Sequence, residues 1–549
     1  MSFVASKNIE STLITALTRL LGADNVTVDG PLIDLFSCDF GEEPKARIGL
    51  IARPAERSLV AEVLKLAHAA DCPVCVRGGG MSYTQGYLPD RPGTLLLDMS
   101  ALNRIVEINL KDLYITVETG CTWQQIYHVL DGTGYHLPFG GTMSGERATI
   151  GGALANNATA VKRGQVVDDL LGLEVVLADG RVIQTGSRAT GRPVQPMRNY
   201  GPDLTGLFLN DAGIMGVKTQ ATFRLERRPR GTEFAAFGFQ DTNALIDAMC
   251  ALAREGLATE NMAFGAYHNQ MFAAEPRPTR TDVSALVAAV KAMAGNRFSA
   301  YRLLAKMARP GGMKFLGKWK HTLVVSTDGY TPSIARTQMR EIKRIAKSHQ
   351  GAPLPPTLAI AMRALPFHPV ERLIVGTGTK NNTLPSNRFT SLSHAHALYE
   401  AAENFLLDNR ALMQRHGLTY TILFACVSNN MFGIEPIIYW RDSMTPLRAH
   451  ILSQKRRDEL LAIPEDLTTR GIVVGLRRRM VARLADIPGA HYQIGKYYNY
   501  KGDLADAATL GAICQAKLTL DKSGILNPGG LWDMNDDYCA NPQGAEIPH

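Results

Sequence analysis

Three consecutive glycines follow a short apolar run early in this chain. The segment reads Val76-Arg-Gly-Gly-Gly-Met-Ser-Tyr-Thr-Gln-Gly86, and the preceding Cys-Pro-Val-Cys-Val has the pattern of a buried strand. Because glycine has no Cβ, the backbone can turn sharply here, and successive N–H groups can point at one anion. Arg77 and Ser82 add donors at the edges. The segment therefore predicts a tight turn that either only joins two strands or binds a phosphate group.

Composition narrows the class of protein. The 549 residues are 45% hydrophobic and 20% charged, which is typical of a globular protein with several domains. The net charge is +8, but the basic residues are dispersed, so we expect anionic cofactors or substrates and no nucleic acid. The sequence has no secretory signal pattern and no apolar run of membrane-spanning length, which predicts no transmembrane segment and a cytoplasmic location. Cys72 and Cys75 are predicted to be buried thiols.

The pattern of secondary structure changes along the chain. Between about residues 50 and 225, short β-rich runs alternate with helical ones, and Ala178-Asp-Gly-Arg181 is typical of a hairpin turn. From about 230 to 485 the chain is richer in helix formers, with strands expected at 320–326, 420–426 and 436–440. Helices are expected at 393–414 and 447–461, among others. These patterns predict an α+β protein.

Four further segments have glycine and hydroxyl residues in a characteristic order, namely 114–120, 137–157, 173–180 and 203–217. Together with the glycine triplet, they resemble the FAD-binding domain of the vanillyl-alcohol oxidase/p-cresol methylhydroxylase flavoprotein family. The resemblance covers about 45–228 and resumes at 521–529. It implies an α+β fold with a two-part FAD-binding domain, formed by 1–228 and 491–549, and an inserted α+β substrate (cap) domain at 229–490. A Rossmann fold is disfavoured because Tyr83 stands where its third glycine is required.

The resemblance also implies which residues contact FAD. The glycine loop is expected to wrap the pyrophosphate, with further contacts along the flavin and ribityl chain, on the adenosine side and in the closing motif. The cofactor-binding residues expected in that order are Arg77, Gly78, Gly79, Gly80, Met81 and Ser82; Thr142, Ser144, Thr149, Gly151, Gly152 and Asn156; Gly213, Gly216 and Val217; and Asn527. Many relatives carry a histidine that bonds covalently to FAD at the position of Met81. We therefore predict no covalent link through residue 81.

The implied reaction is oxidation of an alcohol-type carbon by hydride transfer to flavin N5, with a 2-hydroxyacid-like substrate favoured. His491 is the candidate base for the hydroxyl proton. Lys496, Arg363 and Arg388 are candidate cations for an anionic substrate, and Tyr492 and Tyr497 are candidate hydrogen-bond donors. The 425–440 segment has no histidine, so no metal site is predicted there. Glu435 in that segment is interpreted as a solvated strand-end carboxylate.

Two other functions stay open at this point. The same scaffold serves enzymes that oxidise para-substituted phenols or aromatic alcohols, and a basic protein could use an anion-binding loop without redox turnover. The electron acceptor is oxygen or a carrier protein, and a homo-oligomer is possible.

Overall fold

The computed structural model describes residues 11–42, 46–159, 164–274, 280–294, 297–307, 312–367, 369–371, 380–504 and 506–531. Helices and sheets both contribute extensively, which confirms the predicted α+β class. No helix in the described part of the chain is long and apolar enough to cross a membrane.

The N-terminal part is built on a four-stranded sheet with the order β1-β2-β4-β3, in which β2, β4 and β3 are parallel. Its strands are β1 Val26–Thr27, β2 Leu50–Ala52, β3 Val74–Arg77 and β4 Leu95–Asp98, and its helices are α1 Ser11–Leu21, α2 Pro31–Phe36 and α3 Arg57–Ala69. Leu13, Leu17 and Leu21 recur at helical spacing, and they are the residues of α1 that are buried in the same core as β2–β4. The chain between β3 and β4 is a loop and not a crossover helix, as expected from its two prolines.

A five-stranded sheet with the order β5-β6-β10-β8-β9 follows. Its strands are β5 Ile105–Asn109, β6 Tyr114–Glu118, β8 Leu170–Val176, β9 Val182–Gln184 and β10 Val217–Arg224; β7 Tyr135–His136 pairs separately with β11 Glu226–Arg227. The helices of this part are α4 Trp123–Val129, α5 Ile150–Ala155 and α6 Leu204–Leu207. Thr122 and Gln125 form a reciprocal capping box that starts α4 and brings Trp123 into the core.

The central part is an eight-stranded antiparallel sheet with the order β15-β12-β14-β13-β18-β19-β16, and β17 also pairs with β19. Its strands are β12 Gly231–Phe239, β13 Glu260–Phe264, β14 His321–Gly329, β15 Ala352–Leu354, β16 Asn382–Pro385, β17 Arg388–Ser391, β18 Thr419–Val427 and β19 Met431–Trp440. Successive side chains along a strand point to opposite faces of the sheet. Leu323, Val325, Phe424 and Ile434 face a large helix-covered core, which leaves the opposite face for a cavity.

The helices around this sheet are α7 Thr242–Arg254, α8 Ala266–Ala274, α9 Arg280–Ala294, α10 Arg297–Met307, α11 Pro332–Ser348, α12 Thr357–Ala364, α13 Ala395–Asp408, α14 Arg410–Arg415, α15 Pro446–Ile451, α16 Gln454–Leu460 and α17 Leu467–Ala485. The single helices predicted at 393–414 and 447–461 are wrong in extent. The first is interrupted at Asn409, and the second at Leu452 and Ser453, whose backbones are extended. Apolar periodicity continues across both breaks and does not reveal them.

The C-terminal part returns to the first sheet. After α18 Tyr500–Asp503 and α19 Ala507–Leu520, Leu526 forms a parallel bridge with Val74 of β3. Asp521 supports this return because its carboxylate accepts the Ile525 and Leu526 amides and pairs with Lys517 at 2.5 Å. The bounds 1–228, 229–490 and 491–549 stay a prediction, and these contacts are consistent with it.

Candidate active site

One cavity of about 2030 Å³ lies between the glycine-rich loops of the N-terminal part and the free face of the eight-stranded sheet. Alternate residues of β19 contribute to its wall from Gly433 to Tyr439, namely Gly433, Glu435, Ile437 and Tyr439, because side chains alternate along a strand, and Ile434 also borders the cavity. Ordinary small-molecule sites measure about 300–1,000 Å³. The cavity is therefore large enough for a dinucleotide together with a second ligand.

Most of the predicted cofactor residues line this cavity. They are Gly78, Gly79, Gly80, Met81, Ser82, Thr142, Ser144, Thr149, Gly151, Gly152, Asn156, Gly213, Gly216 and Val217. The glycine loop is packed tightly against the 147–149 segment, since a Cβ at Gly79 would lie 1.7 Å from the Arg147 carbonyl oxygen. Tertiary contact thus brings two motifs that are 70 residues apart in the sequence onto one wall.

The residues present fit a large polar cofactor. Gly213 is buried and has φ +77°, yet a Cβ added there would meet no atom within 4 Å, so it would project into the cavity. Within the described residues, Thr149 Oγ1 and Asn156 Oδ1 are buried without a hydrogen-bond partner. Buried polar atoms are seldom left unsatisfied in folded proteins. Backbone amides of the glycine loop, these two polar atoms and the open space at Gly213 suit FAD.

Two predicted cofactor residues do not line the cavity. The Arg77 guanidinium lies 3.8 Å from the centre of the Phe36 ring and donates to the Gly78 carbonyl. Asn527 donates to the Gly86 and Ala212 carbonyls at 2.9 and 2.5 Å. Both side chains thus contact neighbouring backbone or rings in the loops around the cavity, and their direct contact with FAD stays a prediction.

Met81 lines the cavity and packs near Phe40 and Tyr83. A thioether is not a nucleophile of the kind that attaches flavin in relatives, so we expect denaturation to release all flavin bound through this loop. Peptide mass spectrometry checks this expectation, and a flavin adduct on the Met81 peptide would contradict it.

Among the predicted catalytic residues, Arg363 and Tyr492 line the cavity. Arg363 on α12 pairs with Glu260 at 3.1 Å and with Asp328 at 2.9 Å. Burial acts to lower the pKa of Arg363, but these two carboxylates raise it overall. Its charge is compensated within the protein, which makes it a poor partner for a substrate carboxylate. Tyr492 packs on Phe389, and burial raises the pKa of its phenol.

The other predicted catalytic side chains do not line the cavity, and the contacts they make give no support for their predicted roles. His491 Nδ1 contacts the Asn387 carbonyl at 2.7 Å, and its ring stacks on Tyr498. Lys496 donates to the Leu88 and Pro528 carbonyls, both at 2.7 Å. The Tyr497 ring lies under the Arg477 guanidinium, and Arg388 binds main-chain carbonyls near residue 487. Pattern matching located this segment correctly but could not reveal which way each side chain points.

Replacement of His491 by alanine is now expected to affect folding more than chemistry. Burial lowers the pKa of His491 to about 4, so the ring is neutral at physiological pH. We expect a flavin reduction rate within a few-fold of wild type and a free energy of unfolding lower by about 1–3 kcal/mol. Stopped-flow flavin reduction and chemical denaturation measure the two quantities. A hundredfold slower reduction with unchanged stability would restore His491 as the base.

Sequence reasoning missed a carboxyl group at the centre of the cavity wall. Glu435 lies inside β19 and is not a solvated strand end; burial raises its pKa to about 7. The Tyr83 hydroxyl lies 3.2 Å from Glu435 Oε1 and 2.5 Å from Gln493 Oε1. All three residues line the cavity. The available signal was a single acidic residue within an otherwise apolar strand, which is costly unless it has a function.

Arg477 fixes the position of Tyr83. Its side chain is fully buried and donates to the Tyr83 carbonyl at 2.9 Å and to the Pro385 carbonyl at 3.0 Å. It therefore ties the glycine-loop side of the cavity to the eight-stranded sheet. In the described part of the chain, no group of three or more His, Cys, Asp or Glu side chains is arranged to hold a metal ion.

Comparison with known proteins agrees with this geometry. Residues 48–186 match the family model of an FAD binding domain. The mitochondrial D-lactate dehydrogenase (cytochrome) 1 of Saccharomyces cerevisiae is 30% identical over 219 residues, which are 39% of this chain and 36% of that protein. A glycolate oxidase subunit of Bacillus subtilis is 28% identical over 198 residues, 36% of this chain and 40% of that protein. The matched segment thus spans less than half the length of these curated relatives.

The fold extends the likeness to the whole chain. A structure of p-cresol methylhydroxylase with substrate bound superimposes with a TM-score of 0.70 at 17% identity, covering 97% of this chain and 99% of that one. The glycine-lined cavity lies between the part of the chain that matches an FAD binding domain and the eight-stranded sheet. The chain is therefore similar to an FAD binding domain over residues 48–186, and it shares the fold of p-cresol methylhydroxylase over nearly its whole length.

Proposed function

We propose that this protein is an FAD-dependent oxidoreductase that oxidises an alcohol-type carbon, with a 2-hydroxyacid as the favoured substrate. One observation carries the proposal: a single cavity connects the glycine loop at Gly78–Gly80 with the half-buried carboxyl group of Glu435. The names of the relatives, which include D-lactate dehydrogenases and a glycolate oxidase subunit, support the substrate class.

FAD, when bound, accepts the hydride of the substrate carbon and so supplies the redox chemistry. The protein must remove the hydroxyl proton, and Glu435 is suited to take it. A carboxyl group with a pKa of about 7 is partly ionised at neutral pH and has a useful basicity there. The proton then resides on Glu435 until it passes to solvent.

Tyr83 keeps this carboxylate in place. Its hydroxyl has one proton and two acceptors within 3.2 Å, Glu435 Oε1 and Gln493 Oε1. Because the proton can be donated to only one of them at a time, Glu435 retains capacity to accept from a substrate hydroxyl. Burial raises the pKa of Tyr83 well above its ordinary value, so the phenol stays neutral and acts as a donor.

A second candidate function is oxidation of a para-substituted phenol or aromatic alcohol. The specific observation that favours it is the compensated charge of Arg363, which pairs with both Glu260 and Asp328 and leaves this cation unsuited to a substrate carboxylate. In this case Glu435 and Tyr83 would hold the phenol oxygen or the alcohol group.

The proposal is tested with purified protein reconstituted with FAD. We expect the visible absorption of oxidised flavin and its anaerobic bleaching by one class of substrate in a panel of 2-hydroxyacids and para-substituted phenols. Bleaching by phenols alone would select the second function. A protein that binds no flavin, or a bound flavin that no alcohol reduces, would contradict both.

A cytoplasmic location, and oxygen or a carrier protein as the electron acceptor, are further parts of the proposal. Several relatives are named as mitochondrial proteins, so the location is to be decided by fractionation of expressing cells. Oxygen consumption with substrate distinguishes an oxidase from a dehydrogenase that needs a carrier protein.

A further inference from the structure

The cavity continues beyond Glu435 into an apolar region that the chemistry of oxidation does not require. Its wall is formed by side chains of β13, α8, α9, α10 and α12 and by the segment after α10. We call this region the methionine chamber, and its defining residues are Met262, Met271, Met293, Met307, Met313 and Met362. Phe264, Phe272, Leu286 and Leu358 complete the wall. An apolar space of this kind exposes surface that is more stable when covered.

Strand register places the chamber relative to the reacting group. Glu435 pairs with Leu423 across β19 and β18, and Leu423 pairs with Phe264 across β18 and β13. These three residues therefore form one lateral row on the cavity face. Neighbouring strands lie about 4.8 Å apart, so Phe264 stands about 10 Å from Glu435. A substrate oxidised beside Glu435 must extend by that distance to enter the chamber.

The charges nearby place the polar part of the ligand outside the chamber. At its inner edge Arg363 is paired with Glu260 and Asp328. His268, whose pKa burial lowers to about 4, is neutral and contacts the Tyr439 hydroxyl. Asp282 on α9 and Lys314, which follows Met313, also line the cavity, and the defining residues of the chamber themselves carry thioether, aliphatic and aromatic groups. Methionine has three rotatable bonds and a polarisable sulfur, so such a wall adapts to a flexible chain better than to one rigid outline.

We infer that the methionine chamber binds an unbranched alkyl chain of the substrate, so that the natural substrate is a long-chain 2-hydroxyacid or related alcohol. This inference takes the oxidised group of the substrate from the proposed function. The site for the alkyl chain does not depend on that function. The hydroxyl end then lies at Glu435 and Tyr83, and the chain follows the row through Leu423 to Phe264.

The inference is tested with straight-chain 2-hydroxyacids of three, six, ten and fourteen carbons on the FAD-bound enzyme. We expect kcat/KM for flavin reduction to rise by about three- to fourfold per added methylene until the chamber is full. A value that does not change with chain length would overturn the inference while leaving the proposed function intact.

Substitutions locate the effect. Met293→Trp and Met362→Trp fill the chamber from two different helices and are expected to lower kcat/KM at least tenfold for the ten-carbon acid but not for the three-carbon acid. Ala292→Trp is the matched control, because Ala292 neighbours Met293 on α9 but is exposed and does not line the cavity. Equal losses for both acids in the two chamber variants would contradict the inference.

Binding provides a readout independent of turnover. A fluorescent fatty acid should bind the FAD-containing protein, and Met293→Trp should weaken its binding at least tenfold while Ala292→Trp should not. If no 2-hydroxyacid reduces flavin but the probe binds in this manner, the proposed function is wrong, and the inference that the methionine chamber binds an alkyl chain is retained. Absence of probe binding to the wild-type protein would contradict the inference that the methionine chamber binds an alkyl chain.

Discussion

Flavin reduction is expected to slow by about 10²–10⁴-fold when Glu435 is replaced by glutamine, with FAD still bound. Glutamine preserves the shape of the side chain but cannot accept the hydroxyl proton. Glu435 lines the cavity from the eight-stranded sheet and is not part of the glycine loops, so its replacement by an isosteric side chain should leave the backbone contacts of those loops unchanged. The test is anaerobic stopped-flow reduction by the best substrate, with the flavin content of the variant measured beforehand.

The pH dependence of this rate has a definite sign. The base acts as a carboxylate, and burial raises the pKa of Glu435 to about 7. The rate constant should therefore decrease tenfold per unit as the pH falls below 7 and level off above it. In the Glu435→Gln variant this decrease of the rate constant below pH 7 should be absent. A wild-type rate constant that is independent of pH from 5 to 9 would exclude Glu435 as the base.

Tyr83→Phe tests the role of Tyr83 separately from that of Glu435, because it removes the Tyr83 hydroxyl and leaves the Glu435 carboxylate in place. The hydrogen bond from Tyr83 acts to lower the pKa of Glu435. Its removal should therefore raise the pH below which the rate constant of flavin reduction decreases. The maximal rate at high pH should change much less than in the Glu435→Gln variant. Glu341→Gln on α11 is the control for the Glu435→Gln substitution, because Glu341 is partly exposed, pairs with Arg344 at 2.6 Å and does not line the cavity; its flavin reduction rate should equal that of the wild type.

Loss of FAD binding is the expected result of Gly213→Leu. Gly213 is buried, and a side chain there would enter the cavity and not the protein interior. It would therefore occupy volume that the cofactor needs, and we expect purified protein without visible flavin absorption. Added FAD should bind at least a hundredfold more weakly than to wild type, as measured by quenching of flavin fluorescence.

A matched variant removes the effect of backbone strain. Gly132 has φ +75°, is exposed and also has no atom within 4 Å of an added Cβ, so Gly132→Leu imposes the same unfavourable backbone conformation outside the cavity. Both variants should lose about 1–2 kcal/mol of stability from the left-handed conformation. Only Gly213→Leu should lose FAD, and retention of stoichiometric FAD by that variant would contradict the assigned position of the cofactor.

The cofactor side of the site was predictable because its contacts are local. A loop such as Gly78–Gly80 works through its backbone, and the absence of side chains is written directly into the sequence. The same holds for Gly151, Gly152 and Gly213, which appear within motifs of fixed spacing and all line the cavity. Arg77 and Asn527 lie in the predicted motifs but do not line the cavity, because their side chains contact the surrounding structure.

The substrate side was predictable only in outline. His491 and Lys496 were reasonable candidates by residue type, yet one stacks on Tyr498 and the other binds two main-chain carbonyls. Whether a titratable residue can act in catalysis depends on what surrounds it, and a single sequence does not contain that information. Glu435 was interpreted as solvated for the same reason.

By itself the sequence determined the α+β class, the glycine loop and the flavin-binding character, since these depend on residues that are close together in the chain. Tertiary structure alone decided the contact between Glu435, the base that we propose, and Tyr83, the residue that positions it. Tyr83 and Glu435 are 352 residues apart, and they meet because Arg477 joins the Tyr83 loop to the eight-stranded sheet. Burial in that junction then raises the pKa of Glu435 to about 7. The glycine triplet thus predicts the cofactor loop, but only the folded chain brings Glu435, the proposed base, into the same cavity.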